Sequence, residues 1–245
     1  MHREYHKWYS NHIGRDMEIL VHGHSGLPFI IFPSSSGRFF DFENRKMFDT
    51  VSDMIDNGQV VFFSVDSLDD ETWHRYNEHP SAGAARHQDY DNYIIHEVVP
   101  FIHNFLQNSD RIFASGASMG AYHSVNFFLR HPDIFAGTLA LSGNYHIKHF
   151  FGDYMDENVY INSPIAFLPN MYDEWYLEKY RNSFIIICCG QGAWEDTMLQ
   201  DTRDLECIMK DKGIFPHVEY WGHDVNHNWN WWEIQFPHFM RMIVK

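Results

Sequence analysis

The residues most suggestive of chemistry are Gly116-Ala117-Ser118-Met119-Gly120. They follow the short apolar run Ile112-Phe113-Ala114 and lead into a helix-forming stretch, Ala121 to Arg130. A serine between two glycines at a strand-to-helix turn reads as a nucleophile elbow. The turn is tight, the serine takes a strained backbone, and the glycines leave room for neighbouring main chain. The helix start then offers N–H groups and a positive dipole end to a developing oxyanion. A G-x-S-x-G string is short and also suits an ordinary tight turn. It is the flanking strand and helix that favour chemistry at Ser118.

A serine hydroxyl needs a base, and the base should follow a late strand. Two histidines qualify, His223 and His227, in Tyr220-Trp-Gly-His-Asp-Val-Asn-His-Asn-Trp-Asn-Trp-Trp232. Their H-x-x-x-H spacing could instead supply two metal ligands from one helical turn. Gly222, Asp224, Asn226 and Asn228 favour a loop there, which argues against a metal. The imidazole in turn needs an acid to hold its tautomer. Glu195 and Asp196 lie just beyond the apolar run Phe184 to Cys189, in Gly190-Gln-Gly-Ala-Trp-Glu-Asp196. One of the two could simply face a helix dipole. Glu195 has the longer reach and follows Trp194, which could bury it beside the histidine. The chain order serine, acid, histidine is that of the α/β-hydrolases. A second oxyanion donor is expected from the loop after an early strand. That loop is Pro33-Ser-Ser-Ser-Gly37, so the N–H of Ser35 or its neighbour would join Met119 N–H.

Elements must place these residues. Strands are expected over 17–21, 28–32, 60–65, 111–114, 137–141, 184–189 and 217–220, several as unbroken apolar runs. Such runs suit parallel strands covered on both faces. Helices are expected over 42–57, 89–106 (with Pro100 kinking it), 121–130, 195–212 and 231–244. Alternating strand and helix implies right-handed crossovers and one mainly parallel sheet, a single α/β domain over 1–245. The segment 144–181 breaks the rhythm. It is rich in Tyr, Phe and Asn and reads as an insertion over the carboxyl edge of the sheet, where α/β sites lie. Its Tyr145, Phe150, Phe151 and Tyr154 could shape an acyl pocket or pack as core.

Composition narrows the partners. The 245 residues carry 18 Lys and Arg against 33 Asp and Glu, a formal net charge of −15. That surface repels phosphate backbones, so nucleic acid and anionic membrane are poor partners. Hydrophobic residues make up 44% of the chain, enough for a large core. No apolar stretch approaches 18 residues, and the first nine residues lack the apolar run of a leader. The three cysteines, two of them adjacent, do not form a disulfide framework; with the missing leader this points to a reducing, cytoplasmic setting.

Three segments together resemble the Putative esterase family of α/β-hydrolases, in its cytoplasmic branch: Gly116 to Gly120, Cys189-Gly-Gln-Gly192 followed by acids, and His227-x-Trp229-x-x-Trp232. The family includes S-formylglutathione hydrolases, feruloyl esterases and mycolyltransferases. The resemblance runs from about the second expected strand to the last helix. It implies an α/β-hydrolase fold and a serine esterase that forms an acyl-enzyme on Ser118, without metal or organic cofactor, acting on a small-molecule ester. It favours His227 over His223 as base. Matched without gaps, it places the acid at Asp196, with Glu195 one residue away. The loop Pro33 to Gly37 departs from the His-Gly or Asp-Gly pattern of many relatives, which leaves the oxyanion donors less defined. Acyl transfer with the same triad, and a binding protein without turnover, are the alternative readings.

Overall fold

In the computed structural model, which describes residues 1–75 and 77–244, eight strands form one sheet. They are β1 (Arg3–Ser10), β2 (Arg15–His22), β3 (Leu27–Phe32), β4 (Val60–Val65), β5 (Ile112–Ala117), β6 (Phe135–Leu141), β7 (Phe184–Cys189) and β8 (His217–Tyr220), in the spatial order β1-β2-β4-β3-β5-β6-β7-β8. β1 and β2 form an antiparallel hairpin, and β2 meets β4 antiparallel. Every pairing from β4 through to β8 is parallel.

Alternation along the central strands explains why they are apolar throughout. On β3, Ile30 and Phe32 point into one core while Phe29 and Ile31 point into the other; on β4, Val61 and Phe63 oppose Val60 and Phe62. β1 is not among the expected strands. Its sequence, REYHKWYS, alternates exposed and half-buried residues and contains no apolar run, as suits an edge strand that must stay charged.

The helices lie on both faces: α1 (Asp41–Asn44), α2 (Ser52–Asp56), α3 (Pro80–Tyr93), α4 (Val99–Leu106), α5 (Met119–Arg130), α6 (Lys148–Phe151), α7 (Glu157–Ile161), α8 (Pro164–Phe167), α9 (Glu174–Arg181), α10 (Asp196–Asp211) and α11 (Trp229–Ile243). Two expectations change. The helix over 42–57 is broken, because Lys46 takes a left-handed φ of 57° and a 3₁₀ turn, Met47–Val51, separates α1 from α2. The helix over 89–106 starts earlier, with Pro80 in its first turn. It also contains a π-helical turn, Ile94–Val98, just before Pro100. Pro100 has no N–H to bond back along the helix, and the wider turn absorbs that mismatch.

Residues 144–181 form four short helices and a 3₁₀ turn. Tyr145 is fully buried in the main core. Phe150, Phe151 and Tyr154 are partly buried against Trp73, Met119 and Tyr122, beside the start of α5. No helix among the described residues is long and apolar enough to cross a membrane.

Candidate active site

β5 runs up to Ala117 and α5 begins at Met119, so Ser118 alone makes the turn. Its φ of 57° and ψ of −119° are costly for a residue with a Cβ. Packing holds it there. A Cβ on Gly116 would lie 2.5 Å from the Gly120 backbone, and one on Gly120 would lie 2.3 Å from the Phe32 carbonyl oxygen. Only glycine lets the turn close on itself and press against the end of β3. The Ser118 N–H donates to Leu141 O at 2.8 Å, tying the turn to the end of β6.

Glu195 and His227 come from two loops that are zipped together. The Gly192 N–H donates to Val225 O (2.8 Å), Ala193 N–H to Asn226 Oδ1 (2.7 Å) and His227 N–H to Ala193 O (3.0 Å). The loops approach so closely that a Cβ on Gly190 or Gly192 would stand 2.3 Å from Val225 O or Asn226 Oδ1 respectively. This seam places His227 Nε2 at 3.0 Å from Ser118 Oγ and His227 Nδ1 at 3.3 Å from Glu195 Oε2. With the Nδ1 proton directed at the carboxylate, Nε2 turns a lone pair to the serine hydroxyl. Trp232 meets the imidazole edge-to-face, with ring centroids 4.9 Å apart, and fixes its plane.

Glu195 is 1% exposed. Its Oε1 accepts the Ser142 hydroxyl at 2.7 Å, and Ser142 Oγ accepts the Trp232 indole N–H at 3.2 Å. The Cys189 thiol, its pKa pushed up by burial and by Glu195, keeps its proton and donates it weakly to Oε2 at 3.5 Å. Of the two expected acids, the structure brings Glu195 and not Asp196 to the histidine. Asp196 is exposed in the first turn of α10 and has no contact with His227, while Glu195, the helix N-cap, turns inward. Trp194 does not cover that carboxylate. It is 83% exposed with φ 68°, and the cover comes from Ser142, Cys189 and Trp232.

His223 is exposed, and its Nδ1 lies 3.3 Å from Gln191 O, away from Ser118. The segment carrying both histidines is turn rather than helix, and among the described residues no three His, Cys, Asp or Glu side chains are placed to hold a metal ion together.

Met119 N–H stands at the start of α5 with no acceptor among the described residues. Ser35 N–H is likewise free in the exposed loop after β3, which lies against Gly120. Cys188 and Cys189 are buried free thiols at the end of β7. Sequence reasoning missed Ser142 and Asn226. Ser142 directly follows the apolar run of β6 and so stands where a sheet-edge site is built, which was the available signal. Nothing in the local sequence marks Asn226 as the clip between loops.

Solved structures share this architecture across nearly the whole chain. A ferulic acid esterase superposes with a TM-score of 0.76 at 16% identity, covering 99% of this chain and 98% of that one. The S-formylglutathione hydrolase of Staphylococcus aureus gives 0.70 at 16% identity, covering 100% and 97%. MPT51 of Mycobacterium tuberculosis gives 0.73 at 13% identity, covering 100% and 98%. The fold is that of the α/β-hydrolases. No curated protein matches the sequence. The model of one family, described as Putative esterase, matches residues 10–243, and the chain belongs to that family.

Proposed function

We propose that this protein is a serine esterase acting on a small-molecule carboxylic ester through an acyl-enzyme. The observation that carries the reading is the unbroken relay from Ser118 Oγ to His227 (3.0 Å) to Glu195 (3.3 Å) at a strained turn.

In this reading Ser118 Oγ attacks the ester carbonyl as His227 Nε2 takes its proton. The carbonyl oxygen becomes an oxyanion and accepts from the Met119 and Ser35 N–H groups. Collapse of the tetrahedral intermediate breaks the bond to the alcohol oxygen, which takes the proton from His227 and leaves as the alcohol. Water then gives a proton to the same Nε2 and attacks the acyl carbon. His227 returns that proton to Ser118 Oγ, releasing the carboxylic acid. Glu195 keeps the Nδ1 proton in place and offsets the imidazolium charge. Family membership supports an esterase, and the chemistry needs no cofactor.

Ser118→Ala tests the reading. It should lower kcat for p-nitrophenyl esters by about 10⁴–10⁶, abolish labelling by a fluorophosphonate probe, and leave the thermal midpoint near that of the wild type. Wild-type turnover in Ser118→Ala, or a folded wild type that the probe does not label, would overturn it.

A further inference from the structure

The loop after β3 has four consecutive N–H groups, and all but one are occupied. The Ser34 N–H donates to Asp41 Oδ2 at 3.0 Å, and the Ser34 hydroxyl reaches the same oxygen at 2.7 Å. The Ser36 N–H donates to Asp69 Oδ2 at 3.0 Å, and the Gly37 N–H to Ser34 O at 2.8 Å. Ser35 N–H is left without an acceptor among the described residues. Two carboxylates therefore hold the residues on either side of the one free donor.

Of the two, Asp69 is the buried one, at 1% exposure. It opens a 3₁₀ turn, Asp69–Glu71, after β4. Its second oxygen, Oδ1, accepts from His123 Nε2 at 2.9 Å. His123, also 1% exposed, sits on α5 five residues after Ser118. One carboxylate thus clips the oxyanion loop to the helix that carries the nucleophile. The clip has something to resist, because Ser36 is held at φ 53°, a left-handed conformation costly for a residue with a Cβ; the Ser36 hydroxyl adds a second hold, donating to Asp70 Oδ1 at 2.5 Å on the same 3₁₀ turn.

We propose that Asp69 is the positioning residue of the oxyanion hole, anchored by His123, so that Ser35 N–H points at the oxyanion formed on Ser118. The proposal rests on the serine-esterase reading. It requires an acceptor at position 69 more than a charge. Asparagine there still offers Oδ1 to the Ser36 N–H. Its amide then faces His123, whose Nδ1 has no partner among the described residues and can take the ring proton, leaving Nε2 to accept.

The test compares Asp69→Ala with Asp69→Asn in the full-length protein, using p-nitrophenyl butyrate and a trifluoromethyl ketone that forms a tetrahedral adduct. Losing an oxyanion donor outright costs about 10²–10³ in kcat, and a donor that is only loosened costs less. Asp69→Ala should therefore lose roughly 10- to 100-fold in kcat with KM within about twofold. Ketone affinity should fall in proportion to kcat/KM. The midpoint of the kcat–pH profile should not move, because the His227–Glu195 pair is untouched. Asp69→Asn should stay within about threefold of the wild type. If Asp69→Ala does not fold, His123→Leu loosens the same clip from the helix side and should show the same pattern, weaker, at about 3- to 10-fold.

A folded Asp69→Ala or His123→Leu with wild-type kcat and ketone affinity would overturn the proposal, as would a loss accompanied by a shifted pH midpoint. Either result with a Ser118-dependent wild type leaves the esterase reading standing. An inactive wild type that the fluorophosphonate does not label removes the esterase reading itself.

Discussion

Replacing Glu195 by Gln tests whether this buried carboxylate is the group that sets the tautomer of His227. The glutamine fits the same space but has one acceptor oxygen where Glu195 has two. In one orientation its oxygen keeps the Ser142 hydroxyl, and its amide donates to His227 Nδ1. The ring proton then moves to Nε2, which offers Ser118 a hydrogen instead of a lone pair. Fixing the wrong tautomer costs about 10⁴ in kcat where it has been measured in serine proteases. In the flipped orientation the oxygen faces His227, and the amide points at Ser142 Oγ. That oxygen already accepts from Trp232 at 3.2 Å, so its own hydrogen loses its acceptor in a buried site. Such an orphan costs about 1–3 kcal/mol, or about 5- to 150-fold. The flip therefore rescues the tautomer only in part and still leaves the imidazolium without a counter-charge. The expected loss in kcat is about 10³, or about 4 kcal/mol of barrier. The assay is steady-state hydrolysis of p-nitrophenyl butyrate by Glu195→Gln and Asp196→Asn side by side, with circular dichroism to confirm folding. Asp196→Asn, on an exposed first turn, should stay within about twofold. A loss under tenfold in Glu195→Gln, or a more severe loss in Asp196→Asn, would refute the assignment.

Three further outcomes follow from the geometry. Gly192→Ala puts a methyl 2.3 Å from Asn226 Oδ1 and 2.7 Å from Val225 O, so it should separate the acid loop from the histidine loop. Activity should fall about 10²-fold or more while the urea midpoint changes little, since a misplacement of about 1 Å costs that much; unchanged kcat would show that the seam does not set the relay. His223→Ala should keep at least half of wild-type kcat/KM, and EDTA should change nothing; activity lost to EDTA and restored by zinc would favour a metal at the H-x-x-x-H pair. His87 is buried with neither ring nitrogen bonded among the described residues, and burial pushes its pKa well below the usual 6.5. As pH falls below about 6.5 the unfolded chain binds a proton there that the fold refuses, so stability declines by up to about 1.4 kcal/mol per pH unit. Urea midpoints measured from pH 7 to pH 5 should fall less steeply in His87→Phe than in the wild type, and equal slopes would count against this origin.

The sequence revealed what is local and periodic. Unbroken apolar runs marked β3, β4 and β7 because both faces of those strands are covered, and the elbow showed itself through glycines that only a tight turn requires. β1 stayed hidden because an edge strand carries no such run. Choosing between Glu195 and Asp196 was beyond sequence reasoning for a different reason. Both sit where a helix begins, and which one turns inward depends on Ser142, Trp232 and Cys189, which come from three other parts of the chain. Asp69 and His123 illustrate the same limit, since their pairing joins residues 54 positions apart.

The loop that carries His227 hangs between two unequal supports. On one side is α11, rooted in the core by Trp232, Phe236, Phe239 and Met240. On the other is β8, four residues long, with no position fully buried and, among the described residues, only β7 as a pairing strand. The free energy needed to detach that edge is a fraction of the free energy that holds the sheet centre. Ser118 belongs to the centre and His227 to the margin, so the two lie in regions of different local stability. If the two act together as proposed, warming or mild denaturant should silence the esterase by fraying its border while most of the molecule is still native, and return to favourable conditions should restore activity without refolding the whole.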